Sequence, residues 1–71
     1  MTVSWSTVDS SNIDMIGYDD EAEELHVRFN SGSEYVYHQV PPAVHEEFLD
    51  ADSKGKFLSE RIKGQYEYKK V

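Results

Sequence analysis

Leu25-His26-Val27-Arg28-Phe29-Asn30-Ser31-Gly32-Ser33-Glu34-Tyr35-Val36-Tyr37 reads as two strands folded back about a tight turn. Residues 25–29 alternate strictly between apolar and polar, the mark of a half-buried strand. Asn30-Ser31-Gly32-Ser33 supplies the turn, and Glu34 opens the returning strand, which runs to Val40. Two registers are open. A type I turn with Gly32 in the left-handed position pairs Phe29 with Ser33. Val27 then faces Tyr35 and Leu25 faces Tyr37, while Arg28 meets Glu34 and Glu24 meets His38 as cross-strand charge pairs. A two-residue Ser31-Gly32 loop shifts everything by one, so that Val27 faces Val36, and Arg28 and His26 face Tyr35 and Tyr37. The first register puts the tyrosines over a core and the second puts them on solvent. The charge pairs favour the first.

Working outward, Ile13-Asp14-Met15-Ile16-Gly17-Tyr18 has the β-branched and aromatic content of a strand. The acidic run of residues 19–24 is too charged for a core and too short for a helix, and it reads as a turn. The three strands make an antiparallel meander. The segment before it, Met1 to Ser11, reads as an irregular lead-in anchored by Val3, Trp5 and Val8, with Trp5 as a core plug over one end of the sheet.

Pro41-Pro42 ends the third strand and can open a helix. Val44, Phe48 and Ala51 fall on one face of that helix, and Glu46 and Glu47 sit early in it. Asp52-Ser53 breaks it and caps a second helical pattern over Lys54 to Gly64, with Leu58, Ile62 and Tyr66 at spacings of four and Gly64 as the stop. Residues 66–71 alternate again, as a short terminal strand or an extended tail. The expected fold is α+β: one domain over residues 1–71, a three-stranded antiparallel β-meander with two C-terminal helices packed on one face. Its expected core is Ile13, Ile16, Leu25, Val27, Phe29, Val44, Phe48, Leu58 and Ile62, flanked by Trp5 and Phe57.

The chain has 71 residues, which suits one small domain with a modest core. Cysteine is absent, which excludes disulfides, thiolate metal sites and a Cys nucleophile. The start shows no basic segment followed by an apolar run, so no secretory leader is expected. No stretch nears the roughly 20 apolar residues of a membrane span. The expected location is the cytoplasm, with no membrane partner.

The net charge of −7 conceals an asymmetry. Residues 1–52 carry 12 acids and one base, Arg28, whereas residues 53–71 carry two acids and six bases. Segregation of this kind suggests that one end meets an anion, or that the basic tail folds back on the acidic body. Lys54 and Lys56 stand at the start of the second helix, where unpaired backbone N–H groups can hold a phosphate. Arg61 and Lys63 continue the charge, as do Lys69 and Lys70. Lys56 and Lys63, seven apart, are expected on nearly the same helical face. Tyr35 and Tyr37, two apart on a strand, share a face. They read as core packing or as a platform for stacking bases.

No catalytic motif is present: no GxSxG, HExxH, GxGxxG or phosphate loop. No carboxylate is singled out by an apolar setting. Two of the three histidines, His26 and His38, could approach across strands, but two imidazoles without a third ligand make a poor metal site. Neither catalysis nor a cofactor or metal is expected.

The ordered set Val8-Asp9-Ser10-Ser11-Asn12-Ile13, Ile16-Gly17-Tyr18-Asp19, Leu25-His26-Val27-Arg28-Phe29, Tyr35-Val36-Tyr37, Val40-Pro41, Ala51-Asp52-Ser53-Lys54-Gly55-Lys56-Phe57 and Arg61-Ile62 with Tyr66 resembles the KTSC domain. That domain takes its name from the C-terminus of some lysyl-tRNA synthetases and also occurs as a small stand-alone bacterial protein. Its central YxY matches Tyr35 and Tyr37. The resemblance implies RNA as a partner, through the attachment to a tRNA-charging enzyme. The expected function is therefore a small, non-catalytic, weakly RNA-binding module. Lys54, Lys56, Arg61 and Lys63 would hold phosphates, and Tyr35 and Tyr37 would stack bases or brace that surface. The alternative is a protein-interaction or self-association module built on an exposed sheet edge or apolar patch.

Overall fold

The computed structural model describes residues 3–71; Met1 and Thr2, the first two residues of the expected lead-in, lie outside them. Five strands form one antiparallel sheet in sequence order: β1 Ser4–Thr7, β2 Ile13–Asp19, β3 Glu24–Phe29, β4 Glu34–Tyr37 and β5 Tyr68–Lys70. Between β4 and β5 lie α1 Pro42–Asp50, α2 Lys54–Phe57 and a π-helical turn over Leu58–Ile62 that continues α2.

The central hairpin takes the first register. Gly32 adopts φ +96°, the Phe29 N–H donates to the Ser33 carbonyl at 2.8 Å, and Val27 faces Tyr35 while Leu25 faces Tyr37. The Arg28 guanidinium reaches Glu34 at 3.0 Å and His38 reaches Glu24 at 3.2 Å. Residues 20–23 turn as expected. Asp19 is the exception to the reading of the carboxylates: it is fully buried, and its Oδ1 accepts the backbone N–H groups of Glu21 and Ala22. An Asx-type turn of this kind holds the β2–β3 connection.

The sheet is wider than three strands. Residues 4–7 are a strand and not a lead-in. Ser4-Trp5-Ser6-Thr7 lacks an apolar alternation because an edge strand needs none. Trp5 does not plug the core. It lies on the sheet face opposite the helices, 38% exposed, edge-on to His26 at 5.7 Å with Arg28 stacked over it at 5.1 Å. Gly17, directly across from Trp5, makes this possible: a Cβ there would sit 2.8 Å from Val3 and 2.9 Å from the indole. At the other edge, residues 68–70 form the terminal strand against β4.

The core lies between the sheet and the helices. Ile13, Ile16, Leu25, Val27, Phe48, Leu58 and Ile62 are buried as expected, and Phe29 and Val44 pack partly buried against them. Tyr18, Tyr37 and Val40 complete it. Phe57 stacks on Phe48 with ring centres 5.3 Å apart. Pro42 opens α1, but its first turn holds no acid, since Glu46 and Glu47 come later. Ser53 caps α2 by accepting the Lys56 N–H. Among the described residues no helix is long and apolar enough to cross a membrane.

Tyr18 donates its hydroxyl to the Val40 carbonyl, and its ring stacks on His45 at 4.6 Å and 9°. Burial pushes the His45 pKa below its ordinary value, with Glu46 pulling it partly back. The folded state therefore binds this proton less readily than the unfolded chain. The contribution of His45 is neutral above the ordinary imidazole pKa of about 6.5. It becomes destabilising as pH falls below that value, until the lowered folded pKa is passed. Denaturant titrations of wild type and His45→Phe over this pH window should show the wild type losing more stability; parallel losses would refute the assignment.

Candidate nucleic-acid interface

The hairpin register points Tyr35 and Tyr37 toward the helices. Tyr37 is 1% exposed and belongs to the core, whereas Tyr35 is half-buried. β5 then sets Tyr68 opposite Tyr37 and Lys70 opposite Tyr35. The Tyr68 ring stands 5.7 Å from that of Tyr35 at 77° and 5.6 Å from that of Tyr37 at 42°. With Lys63 these three tyrosines line a recess of about 310 Å³. Burial, with smaller contributions from Tyr68 and Tyr35, raises the Tyr37 pKa above its ordinary value, so its phenol stays neutral near pH 7.

Lys63 reaches the recess because the second helix does not continue to Gly64. The π turn ends at Ile62, the Lys63 N–H donates to the Leu58 carbonyl at 2.8 Å, and Lys63 itself is extended with ψ 131°. Gly64 then turns the chain at φ +80°, a left-handed conformation that suits glycine. Lys63 thus leaves the helical face of Lys56 and joins the tyrosines of the sheet.

The other cations go elsewhere. Lys54 and Lys56 line a polar hollow of about 420 Å³ between the loop at residues 9–12 and the start of α2. The hollow is rich in hydroxyls, from Ser10, Ser11, Ser53 and Ser59, but it also contains Asp9 and Asp52. The Lys54 ammonium is tied back to the Ala51 carbonyl. Arg61 stands 3.6 Å from Glu47 and over the Phe57 ring at 5.3 Å. It borders a third hollow with Lys56, Asp52 and Glu60. Among the described residues, no Lys or Arg of the basic segment forms an ion pair with residues 19–24. The six residues singled out in the sequence are therefore divided. Tyr35, Tyr37 and Lys63 converge; Lys54 and Lys56 form a second group; Arg61 stands at the border of a third.

Tyr68 is not among the site residues that the sequence singles out, and Lys70 is read there only as part of the basic segment. The signal was there in the alternation of residues 66–71, but only the pairing of that strand with β4 places them beside Tyr35 and Tyr37. His26 and His38 each have a local acidic partner: His26 lies 3.9 Å from Glu34 and His38 bonds Glu24. Among the described residues no group of three or more His, Cys, Asp or Glu gathers as metal ligands.

Residues 9–66 match the family described as the KTSC domain. The chain is 39% identical over 59 residues to a protein of Tsukamurella paurometabola, covering 83% of this chain and 88% of that one. It is 35% identical over 63 residues to the lysine–tRNA ligase of Nostoc punctiforme, covering 89% of this chain but 11% of the ligase. The crystal structure of a KTSC domain protein from Yersinia pestis superposes with a TM-score of 0.92 at 37% identity, over 99% of each chain.

Proposed function

We propose, from the premise that this chain belongs to the KTSC domain family, that it is a small non-catalytic module that binds RNA weakly, with structured RNA of the tRNA kind as its partner. One observation carries the reading. Tyr35, Tyr37 and Lys63, from two separate parts of the chain, meet with Tyr68 in a single recess that no carboxylate lines. Aromatic rings beside an ammonium suit a base beside its phosphate. Similar segments within lysine–tRNA ligases support tRNA as the kind of RNA. Tyr35 and Tyr68 offer ring surface, the buried Tyr37 braces them, and Lys54, Lys56, Arg61 and Lys63 hold phosphates along a longer contact. The net charge of −7 keeps the affinity low.

Titration of labelled tRNA at rising salt tests this. Four phosphate contacts give a log–log salt slope of about −3 to −4, and reversing both Lys54 and Lys56 to Glu should flatten it by about 1.5. The reading fails if tRNA does not bind even at low salt.

A second reading, self-association, is favoured by a different feature. The β1 edge carries no charged residue and exposes Trp5, whereas the β5 edge carries Lys69 and Lys70, which discourage pairing. Sedimentation over a range of concentrations tests it, and a monomer throughout would remove it.

A further inference from the structure

We infer that the tyrosine recess holds one unstacked nucleobase with the phosphate beside it, so that the domain engages unpaired nucleotides and not continuous duplex. The inference rests on the RNA reading above and narrows it. The ring arrangement comes first. Tyr35 and Tyr37 meet Tyr68 at 77° and 42°, so neither is stacked face to face on it. Tyr68 is 61% exposed and keeps ring surface open to a ligand. Any base has a π-face that can use such a ring, which makes the contact tolerant of sequence.

Size comes second. The recess, about 310 Å³, lies at the small end of ligand cavities, which run to about 1,000 Å³. It suits one ring system and not a stacked run. In an A-form duplex the bases are stacked on one another and show only their edges, so no base face is free to enter; a splayed-out base has one.

Charge comes third. Lys63 is the only ionised group among the lining residues, and Lys70 flanks them opposite Tyr35. The hollow at Lys54 and Lys56 also has two ammonium groups, but Asp9 and Asp52 share it. The tyrosine recess thus offers an uncharged floor for a base and a cation for a phosphate. An unpaired nucleotide in RNA and a free mononucleotide share that chemistry.

The test compares four probes on the whole chain: a short single-stranded oligoribonucleotide, a blunt RNA duplex, AMP and inorganic phosphate. The single strand should bind about tenfold more tightly than the duplex. Tyr68→Ala and Lys63→Glu should each weaken it about tenfold, and Tyr68→Phe, which keeps the ring, should match wild type. AMP bound with the same dependence on Tyr68 would support the base-and-phosphate site and identify free nucleotides as a source. Equal affinity for strand and duplex, an unaffected Tyr68→Ala, or phosphate competing as well as AMP would each overturn the inference. Binding of tRNA that survives those results would leave the broader reading standing, whereas loss of tRNA binding by the wild-type chain would end both.

Discussion

Phe48→Ala should remove most of the stability of this domain. Phe48 is fully buried, stacks on Phe57 and joins α1 to the core beneath the sheet. Truncating a buried Phe costs about 3–5 kcal/mol, through lost burial and the cavity left behind. A chain of this length has about 4–10 kcal/mol in total. The melting temperature should fall by about 12–40 °C, and at the low end of native stability the variant will be largely unfolded at 37 °C. Phe48→Leu, which fills most of the volume, should cost much less. Calorimetry on both variants checks the expectation, and a shift of only a few degrees for the alanine variant would contradict this account of the core.

Gly17→Val should release β1 from the sheet. A Cβ at Gly17 already falls inside the contact distance of Val3 and of the Trp5 ring, and the branched methyls of valine add to the overlap. Overpacking of this kind costs about 1–3 kcal/mol where the neighbours cannot move. Here the neighbours are Trp5 of a four-residue edge strand and Val3 just before it, so displacement of that strand is the easier response. Trp5 is the sole tryptophan and makes a direct probe. Its emission should shift to the red as it leaves His26 and Arg28, and the amides of residues 4–7 should lose exchange protection while β3 and β4 keep theirs. Unchanged Trp5 emission would show that the indole does not depend on the missing side chain.

The parts of the fold that were legible in the sequence are those where several local signals agree. In the hairpin, the alternation of residues 25–29 and the turn at Gly32 mark the two strands, and two charge pairs that exist in one register only favour the register that the structure takes. The buried faces of the helices followed from Phe48, Leu58 and Ile62 at helical spacing. β1 was not legible, because a strand of Ser, Trp, Ser and Thr has no apolar alternation, and its place depends on an absent Cβ at Gly17, across the sheet from Trp5. Asp19 was hidden among neighbouring acids, though it alone is buried to hold the turn.

The candidate site was half legible. Tyr35 and Tyr37 declared a shared face by their spacing. The spacing of Lys56 and Lys63 gives them a shared face only if a regular helix runs to Gly64; a π turn ends the helix at Ile62, and hydrophobic periodicity does not encode it. The basic segment looked continuous along the chain, yet α2 and the extended residues after it send its cations to separate hollows.

Strand order that follows chain order has a kinetic corollary. β1 to β4 are joined by short turns, but β5 rejoins its neighbour only after the whole helical excursion of residues 38–67. Closing so long a loop is entropically the most demanding pairing in the sheet, and it is secured by a strand of three residues and by the flanking His38 N–H to Glu67 and Val71 N–H to Glu34 bonds. The C-terminal strand is therefore the natural place for fraying, and it can peel away without disturbing the meander. Because Tyr68 rides on it, an occupant of the recess would act as a latch, and its arrival would be felt first as slower opening of the last strand.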